Sequence, residues 1–420
     1  MKEIHAEVVT IGDEILYGQI TDTNTQWLSA ELSQLGIKTI RKSSVGDRYG
    51  EIQTILQEAS QRAQLVILTG GLGPTNDDIT KKVLSDFLGK PLVLNHDALT
   101  DVSYFFSSRG RELSDVNKLQ AFIPQDALLL RNSYGTAPGM WSEHQETVFI
   151  SLPGVPYEMK GIMKDHGLPA LKKHFRTPYI QHQIIRTAGV GESILAEQIK
   201  DWEAALPGFI SLAYLPSYGG VKLRLTGINE DQVLLQTKIK QQTELLLPLL
   251  GDRHFYAAED VNLEVHIGNL LKASGKTLSV AESCTGGYSQ HLITSVPGSS
   301  GYFKGGIVSY SNDIKEQELG VSKSLLEQKG AVSLEVAEAM ATGILNKYKT
   351  SYAIAITGIA GPDGGSPEKP VGFVCMAFAS DSGQIFSKIF QFGKERETNI
   401  KVSAAAAMNL LRLGIEGKLS

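Results

Sequence analysis

The sequence predicts a multidomain protein of the α/β class. Its 420 residues exceed what one hydrophobic core ordinarily holds, so two or three domains are expected. Short apolar runs alternate with segments of helical periodicity, which is typical of largely parallel sheets covered by helices. Glycine-rich polar segments follow several of these runs, as ligand-binding turns do at the strand ends of such sheets.

We predict three domains, at residues 1–170, 171–255 and 256–420. The first is an α/β sandwich whose strands are joined by right-handed crossovers into a largely parallel sheet. Its predicted elements are a strand at 7–12, a helix at 24–35, a strand at 38–45, a helix from 52, a buried strand at 64–69 and a late strand at 149–152.

The second domain reads as a small α+β module. Strands are predicted at 180–187 and 221–226, and helices at 192–202 and 230–247. Its glycine-containing segment 189–193 is interpreted as the start of a helix rather than as a phosphate loop. Residues 175–255 hold no basic Gly-x-x-Gly loop, which is the nucleic-acid clamp of KH domains, so nucleic-acid binding is not expected.

In the third domain, a helix at 263–273 precedes strands at 277–281, 305–310 and 351–356. Each of these strands runs into a polar motif. Because ligands gather beyond the carboxyl ends of strands, we expect the motifs to converge. They are AESCTGG at 281–287, YSNDIK at 310–315 and TGIAGPDGG at 357–365.

Composition limits the functional class. The net charge is 40 − 45 = −5, which argues against non-specific nucleic-acid binding as the main role. The two cysteines, Cys284 and Cys375, are too few for a disulfide framework and fit a reducing compartment. Residues 1–15 are too charged for a secretory signal, and no apolar run approaches the about 20 residues of a membrane span. We therefore expect a cytoplasmic protein without a membrane partner.

Ser283 is a candidate nucleophile in the first motif. A serine hydroxyl needs a nearby base, and none of the three motifs contains a histidine, so Lys315 is the best candidate. A lysine can serve as a base if burial or a neighbouring cation lowers its pKa. Gly286 and Gly287 precede a predicted helix start, where backbone N–H groups suit an oxyanion or a phosphate.

Non-catalytic roles for these residues stay open from the residues alone. A Ser-x-Thr-Gly-Gly run is more often only a helix cap. Glu282 is either an acid or base, or a capping partner. Cys284 is either the nucleophile or a small buried side chain, and Cys375 lies in an apolar run that predicts core packing.

The motifs of the third domain are similar to those of the CinA C-terminal family, over most of residues 258–420. Members of that family include PncC-type amidases, which convert nicotinamide mononucleotide to nicotinic acid mononucleotide and ammonia. The resemblance implies a serine–lysine amidohydrolase that needs no cofactor, with Ser283 as nucleophile and Lys315 as base. The remaining site residues that it implies are active-site neighbours Tyr310 and Thr357 and substrate-binding residues Thr285, Gly286, Gly287, Gly358 and Gly361.

The first domain carries a second candidate site, TGGLGPTNDDIT at 69–80. The backbone of Gly70, Gly71 and Gly73 could hold a phosphate, and aspartate oxygens suit a hard metal ion. An aspartate that caps a helix is an equally good reading. The candidate metal or catalytic carboxylates are Asp78, foremost, and Asp77, Asp13, Glu14 and Asp22.

This domain resembles the MoaB/MogA-like molybdopterin-binding fold. Leu72 departs from the Thr or Ser common in the loop of the molybdenum-cofactor enzymes, and GLGPTNDD is similar to full-length CinA proteins. That resemblance implies hydrolysis of ADP-ribose to AMP and ribose 5-phosphate with a divalent Mg, Mn or Co ion. It also implies a KH-like middle module, and we expect a homodimer.

Two rival functions stay open. One is a competence- or DNA-damage-related adaptor. The second is a molybdopterin-binding protein without enzymatic activity in its first domain, which a copurifying pterin would reveal by absorbance.

Overall fold

The computed structural model describes residues 3–75 and 78–419. These residues form two compact units, one of residues up to 181 with 227–236, the other of residues 182–226 with 237 onward. Within the described part of the chain, no helix combines the length and the apolar character that crossing a membrane requires.

The first unit contains a mixed sheet with the strand order β2-β1-β3-β8-β7-β6. The pairs β1–β2, β1–β3 and β3–β8 are parallel, as predicted, whereas β7 and β6 are added antiparallel. The elements are β1 (Ile4–Ile11), α1 (Asp13–Leu16), α2 (Thr23–Gln34), β2 (Ile37–Val45), α3 (Tyr49–Arg62), β3 (Leu65–Thr69), α4 (Thr80–Leu88), β4 (Leu92–Leu94), α5 (His96–Ser107), α6 (Asp115–Lys118), a 3-10 turn (Leu119–Ala121), β5 (Phe122–Pro124), β6 (Leu128–Leu130), β7 (Gly139–His144), β8 (Thr147–Leu152), α7 (Pro156–Ile162), a π turn (Met163–Gly167) and α8 (Leu168–His174).

Helices cover both faces of this sheet because alternate strand residues face opposite sides. Val8 and Ile67 pack on one face with residues of α2 and α7. Val9 and Leu68 pack on the other face with residues of α3 and α4. The double coverage explains the near-continuous apolar sequence of β1 and β3, and it leaves the strand ends as the accessible part of the sheet.

The middle module is a small sheet with the strand order β10-β11-β9-β12. Its predicted strands and helices are present, and each is longer than predicted. The chain turns out of α10 at Gly251, whose φ of 69° lies in the left-handed region that favours glycine. The elements are β9 (Tyr179–Thr187), α9 (Glu192–Ala204), β10 (Ile210–Ser217), β11 (Gly220–Asn229), α10 (Gln232–His254) and β12 (Phe255–Ala257).

The last domain is again a doubly covered sheet, with the order β14-β13-β15-β16-β17. The first three strands are parallel, and β16 and β17 continue the sheet antiparallel. Residues of α11, α12 and α16 pack on one face and residues of α13, α14 and α15 on the other. The elements are α11 (Leu263–Ser274), β13 (Leu278–Glu282), α12 (Tyr288–Thr294), a 3-10 turn (Ser299–Gly301), β14 (Phe303–Val308), α13 (Asn312–Leu319), α14 (Lys323–Lys329), α15 (Leu334–Tyr348), β15 (Tyr352–Gly358), β16 (Phe373–Ser380), β17 (Ile385–Gln391) and α16 (Arg396–Ile415).

Candidate functional site

The three polar motifs of the last domain begin at neighbouring strand ends. Glu282, the last residue of β13, pairs with Val308, the last residue of β14, and with Ile356 of β15. Ser283 therefore follows the inner strand β13. Lys315 follows the neighbouring strand β14, and the third motif begins at the end of the other neighbour, β15. The predicted convergence of the motifs is confirmed.

Ser283 and Lys315 are in direct contact. Lys315 Nζ donates a hydrogen bond to Ser283 Oγ at 3.1 Å and a second one to the carbonyl oxygen of Ser309 at 2.7 Å. Ser283 is 8% exposed and Lys315 is 1% exposed. A base must lie about 2.6–3.2 Å from the group whose proton it takes, and this pair meets that condition.

Burial makes Lys315 a better base. It lowers the pKa of the Lys315 ammonium below the ordinary 10.5, because removing the cation from water disfavours the charged form. The nearby thiol of Cys284 acts in the opposite direction and is the smaller influence. The shift therefore has the direction that a serine-activating lysine requires.

Glu282 is a helix cap. Its buried carboxylate accepts hydrogen bonds from the backbone N–H of Ser289 at 3.0 Å and of Gln290 at 2.9 Å. The N–H of Tyr288 donates to Thr285 O. These N–H groups at the start of α12 are thus used within the chain. The prediction that α12 offers its N-terminus to a bound anion is wrong for them, because the carboxylate already occupies that position.

Thr285 remains a candidate substrate contact. Its side chain is buried, and Oγ1 has no hydrogen-bond partner among the described residues. A buried polar atom without a partner is rare in folded proteins and points to a group that is supplied by a ligand or by water. Gly286 N–H donates to Ser283 O at 3.1 Å, which closes the turn. Gly287, with a φ of 97°, then leads into α12.

The alternative nucleophile, Cys284, is in the wrong protonation state. It is 7% exposed, and burial raises the pKa of its thiol to about 12. The thiolate is the nucleophilic form of cysteine, so this side chain is unreactive near neutral pH. Cys375 is fully buried in β16, as predicted for a core residue.

Arg396 links the second and third motifs. Its Nη2 donates to the hydroxyl of Tyr310 at 2.9 Å, and its Nη1 donates to Gly361 O at 2.7 Å. Arg396 is exposed and Tyr310 is 61% exposed, so both lie at the surface. Arg396 is the first residue of α16 and belongs to no motif, so it was not predicted and only the fold reveals it. Its guanidinium suits a phosphate group.

Thr357 and Gly358 shape the third strand end. The buried hydroxyl of Thr357 donates to Ala331 O at 2.8 Å. A Cβ on Gly358 would lie 2.7 Å from a Val374 methyl carbon, so a larger residue would displace β16. The N–H of Ser283 donates to Ile356 O at 2.9 Å, which places the start of the third motif beside Ser283. Substrate binding by Gly358 and Gly361 stays a prediction.

The candidate site of the first unit is a cleft of about 520 Å³ at the strand ends. The glycine loop that follows β3 forms one side of it. Gly70 N–H donates to Leu152 O at 3.0 Å, and a Cβ on Gly70 would lie 2.0 Å from Ile11 O. The loop therefore crosses the ends of β1 and β8 at a distance that only glycine permits. Gly71 and Gly73 continue the same side of the cleft.

Asp78 lies in this cleft and closes the loop. Its Oδ2 accepts hydrogen bonds from the backbone N–H of Thr75 at 2.9 Å and from the Thr75 hydroxyl. A Cβ on Gly73 would collide with the same oxygen, so a larger residue at this position would displace the Asp78 carboxylate. Asp77, the neighbouring candidate, lies outside the described residues.

Asp22 is a helix cap rather than a cleft residue. Its Oδ1 accepts from Thr25 N at 2.9 Å, and its Oδ2 accepts from the hydroxyls of Thr10 at 2.6 Å and Thr25 at 2.9 Å. It does not line the cleft. Asp22, predicted as a candidate metal ligand, instead caps α2, because these hydrogen bonds occupy both of its carboxylate oxygens at the start of the helix.

Among the residues that the structure describes, four carboxylates line the cleft: Glu14, Asp47, Asp78 and Glu158. Asp13 instead donates its backbone N–H to Asp47 Oδ2 at 3.1 Å. Asp47 and Glu158 were not predicted, because they belong to no motif. Glu158 is buried and accepts from Asn132 Nδ2 at 2.7 Å.

Within residues 3–75 and 78–419, no three His, Cys, Asp or Glu side chains are grouped closely enough to hold a metal ion by themselves. Mg²⁺, however, is usually held by one or two carboxylates, several waters and the phosphates of a substrate. The donor set of the cleft fits a divalent ion that is bound together with a phosphorylated substrate.

Lys81 fixes the wall next to Asp78. Its Nζ donates to the carbonyl oxygens of Leu119 at 3.1 Å and Gln120 at 3.2 Å. Burial lowers the pKa of Lys81 to about 8, and the Asp78 carboxylate partly opposes this shift. The lysine joins α4 to the 3-10 turn that carries Gln120. The position of this turn is therefore fixed relative to α4, the helix that follows the glycine loop.

Comparison with known proteins gives the same three-part division. Residues 260–415 match the CinA C-terminal domain family, residues 7–173 the probable molybdopterin binding domain family, and residues 182–256 the damage-inducible protein CinA KH domain family. A CinA-like protein of Cytophaga hutchinsonii is 52% identical over 409 residues, which cover 97% of each chain. A CinA-like protein of Flavobacterium psychrophilum is 44% identical over 407 residues, again 97% of each chain. The crystal structure of the competence/damage inducible protein CihA from Agrobacterium tumefaciens is 37% identical and covers 37% of this chain and 93% of that one, with a TM-score of 0.36.

Proposed function

The chain belongs to the CinA family, and on this basis we propose that it is a hydrolase of pyridine-nucleotide recycling with two activities. Its last domain deamidates nicotinamide mononucleotide, and its first domain hydrolyses the pyrophosphate of ADP-ribose. The observation that carries the amidase activity is the buried contact of 3.1 Å between Lys315 Nζ and Ser283 Oγ. The second activity is supported by the cleft that the glycine loop and the carboxylates line.

In the amidase, Ser283 Oγ attacks the carboxamide carbon of nicotinamide while neutral Lys315 accepts the hydroxyl proton. The tetrahedral adduct collapses to an ester on Ser283, and Lys315 returns the proton to the leaving ammonia. Water then attacks the ester, with Lys315 as base, and releases nicotinic acid mononucleotide and Ser283. In this proposal Arg396, which donates to the hydroxyl of Tyr310, binds the phosphate of the substrate.

In the first domain, the backbone N–H groups of Gly71 and Gly73 bind a phosphate of ADP-ribose, whereas the N–H of Gly70 is already bonded to Leu152 O. Asp78 is the foremost residue to hold a divalent ion, with Glu14, Asp47 and Glu158 as the remaining carboxylates of the cleft. Such an ion would neutralise phosphate charge and lower the pKa of a bound water. The chain's own residues orient the pyrophosphate.

The direct test is incubation of the full chain with nicotinamide mononucleotide and with ADP-ribose, with and without Mg²⁺, Mn²⁺ or Co²⁺. We expect nicotinic acid mononucleotide and ammonia without added metal and in chelator, and AMP and ribose 5-phosphate only with a divalent ion. Product chromatography separates the outcomes. An adaptor would leave both substrates intact, and a molybdopterin-binding protein would leave ADP-ribose intact.

The pH dependence tests Lys315. Only the neutral amine accepts a proton, so the amidase rate should rise with pH through the pKa of Lys315 and be lost below it. Because burial lowers that pKa, the half-maximal point of kcat/KM should fall below pH 10.5. Lys315→Arg should be inactive at every pH up to about 10, because arginine stays protonated. Lys323→Arg, at an exposed position of the same domain, is the control and should keep the wild-type rate. An active Lys315→Arg variant would assign the proton transfer to another group.

Arg396 gives a test of substrate choice. Arg396→Ala should raise KM for nicotinamide mononucleotide about 10-fold or more, the usual scale for a lost charge-assisted hydrogen bond. Nicotinamide riboside lacks the phosphate, so its kcat/KM should change little in the same variant. Equal losses for both compounds would mean that Arg396 acts by holding Tyr310 and Gly361 rather than by binding phosphate.

A further inference from the structure

The cleft of the first unit contains a buried amide with no partner for its oxygen. Gln120 lines the cleft and is 2% exposed. Its Oε1 is shielded from solvent and has no hydrogen-bond partner among the described residues. Leaving a buried acceptor unpaired is costly, so a group that binds in the cleft is the natural partner.

The backbone around Gln120 is held in place. Its carbonyl oxygen accepts from Lys81 Nζ at 3.2 Å, and the residue lies in the 3-10 turn Leu119–Ala121. Ala121, the next residue, is fully buried. The amide therefore projects from a fixed turn, and its burial is not a consequence of a loose surface loop.

Part of the cleft wall is apolar. Leu72 and Ala137 line the cleft and pack in one buried cluster with Ile123. Pro74 and Val155 add further apolar lining. Such apolar residues pack against the faces of flat ligand rings.

The hydrogen-bonding groups of the Gln120 amide indicate which kind of ligand ring it would bind. A glutamine amide presents an acceptor and a donor side by side. The cleft carboxylates Glu14, Asp47, Asp78 and Glu158 offer acceptors alone when they are ionised, so they suit ribose hydroxyls or a metal ion. A paired acceptor and donor match the N6 amino group and N7 of adenine, which glutamine recognises with two hydrogen bonds.

We propose that Gln120 recognises the adenine base of a nucleotide in this cleft, with Oε1 accepting from the N6 amino group and Nε2 donating to N7. The inference rests on the proposed function in taking an adenine nucleotide as the ligand. It adds the residue that distinguishes adenine from hypoxanthine and guanine, which carry a carbonyl oxygen in place of the amino group.

The test compares the binding of AMP and IMP to the full chain by calorimetry. Wild type should bind AMP about 10- to 100-fold more tightly than IMP, the discrimination that a pair of such hydrogen bonds provides. Gln120→Met, of similar length and without the amide, should bind AMP as weakly as wild type binds IMP. Its affinity for IMP should change little. Gln125→Met, at a nearby exposed position, is the control and should keep the preference. Thermal unfolding shows whether each variant is folded.

A second measurement separates this inference from the proposed activity. In wild type, kcat/KM should favour ADP-ribose over its hypoxanthine analogue by the same factor, and Gln120→Met should lose that preference. If AMP is preferred but ADP-ribose is not hydrolysed with any divalent ion, the activity fails and the adenine contact stands. If AMP and IMP bind equally, if neither binds, or if folded Gln120→Met keeps the preference, the inference is overturned.

Discussion

Ser283→Ala is expected to abolish ammonia release from nicotinamide mononucleotide, with a loss of about 10³-fold or more in kcat, as for removal of serine nucleophiles in general. The methyl group of alanine cannot form the ester, and Ser283 Oγ is the hydroxyl that Lys315 Nζ contacts at 3.1 Å. An ammonia assay and product chromatography measure the loss. The fold should survive, because the hydroxyl contributes one hydrogen bond to Lys315, which keeps its second bond to Ser309 O.

Cys284→Ala is the matched control. Cys284 directly follows Ser283 in the chain and is about as buried. Burial raises the pKa of its thiol to about 12. The variant should keep its activity within a few-fold, and its melting temperature should fall modestly because a small buried side chain is shortened. The opposite pattern, with an active Ser283→Ala and an inactive Cys284→Ala, would move the nucleophile to the sulfur.

The contact between Ser283 and Lys315 was predictable because the parallel arrangement of the strands largely determines which motifs lie close together. Once three strands are read from apolar runs, their carboxyl ends must meet at one edge, and the polar motifs that follow them come together. The separation of 32 residues is then unimportant, since one helical crossover returns the chain to the neighbouring strand.

Residues that follow no predicted strand end could not be found in this way. Arg396, Asp47, Glu158 and Gln120 are single polar residues without a surrounding motif, and their positions depend on how distant elements pack. Arg396 lies 86 residues from the tyrosine it contacts. The antiparallel strands that extend each sheet, β7 and β16 among them, were not predicted either, because buried parallel and antiparallel strands share the same apolar pattern.

Helix capping explains two further differences between the roles predicted from the sequence and the roles seen in the fold. Glu282 and Asp22 are carboxylates beside polar motifs, and the sequence allowed a chemical role for each. In the fold both accept backbone N–H groups at a helix start. The same side chain serves either purpose, and only the direction of the following helix decides which.

Asp78→Asn is expected to reduce ADP-ribose hydrolysis by about 10²- to 10³-fold, within the range for loss of a group that stabilises charge at the reacting centre. The asparagine side chain lacks the negative charge with which the Asp78 carboxylate would hold a divalent ion. It keeps an acceptor for Thr75, so the loop should persist. Release of AMP over a range of Mn²⁺ concentrations measures the loss, and a weakened metal site should also raise the Mn²⁺ concentration at half-maximal rate.

Asp22→Asn makes the same chemical change at the capping position and should leave ADP-ribose hydrolysis nearly unchanged, because asparagine caps a helix about as well as aspartate. Amidase activity should be retained in both variants, since the two sites belong to compact units with separate hydrophobic cores. A wild-type rate in Asp78→Asn would remove this carboxylate from the reaction and leave Glu14, Asp47 and Glu158 to hold the ion. Loss of both activities in a folded Asp78→Asn protein would show that the sites depend on each other, because neither core contains residues of the other site.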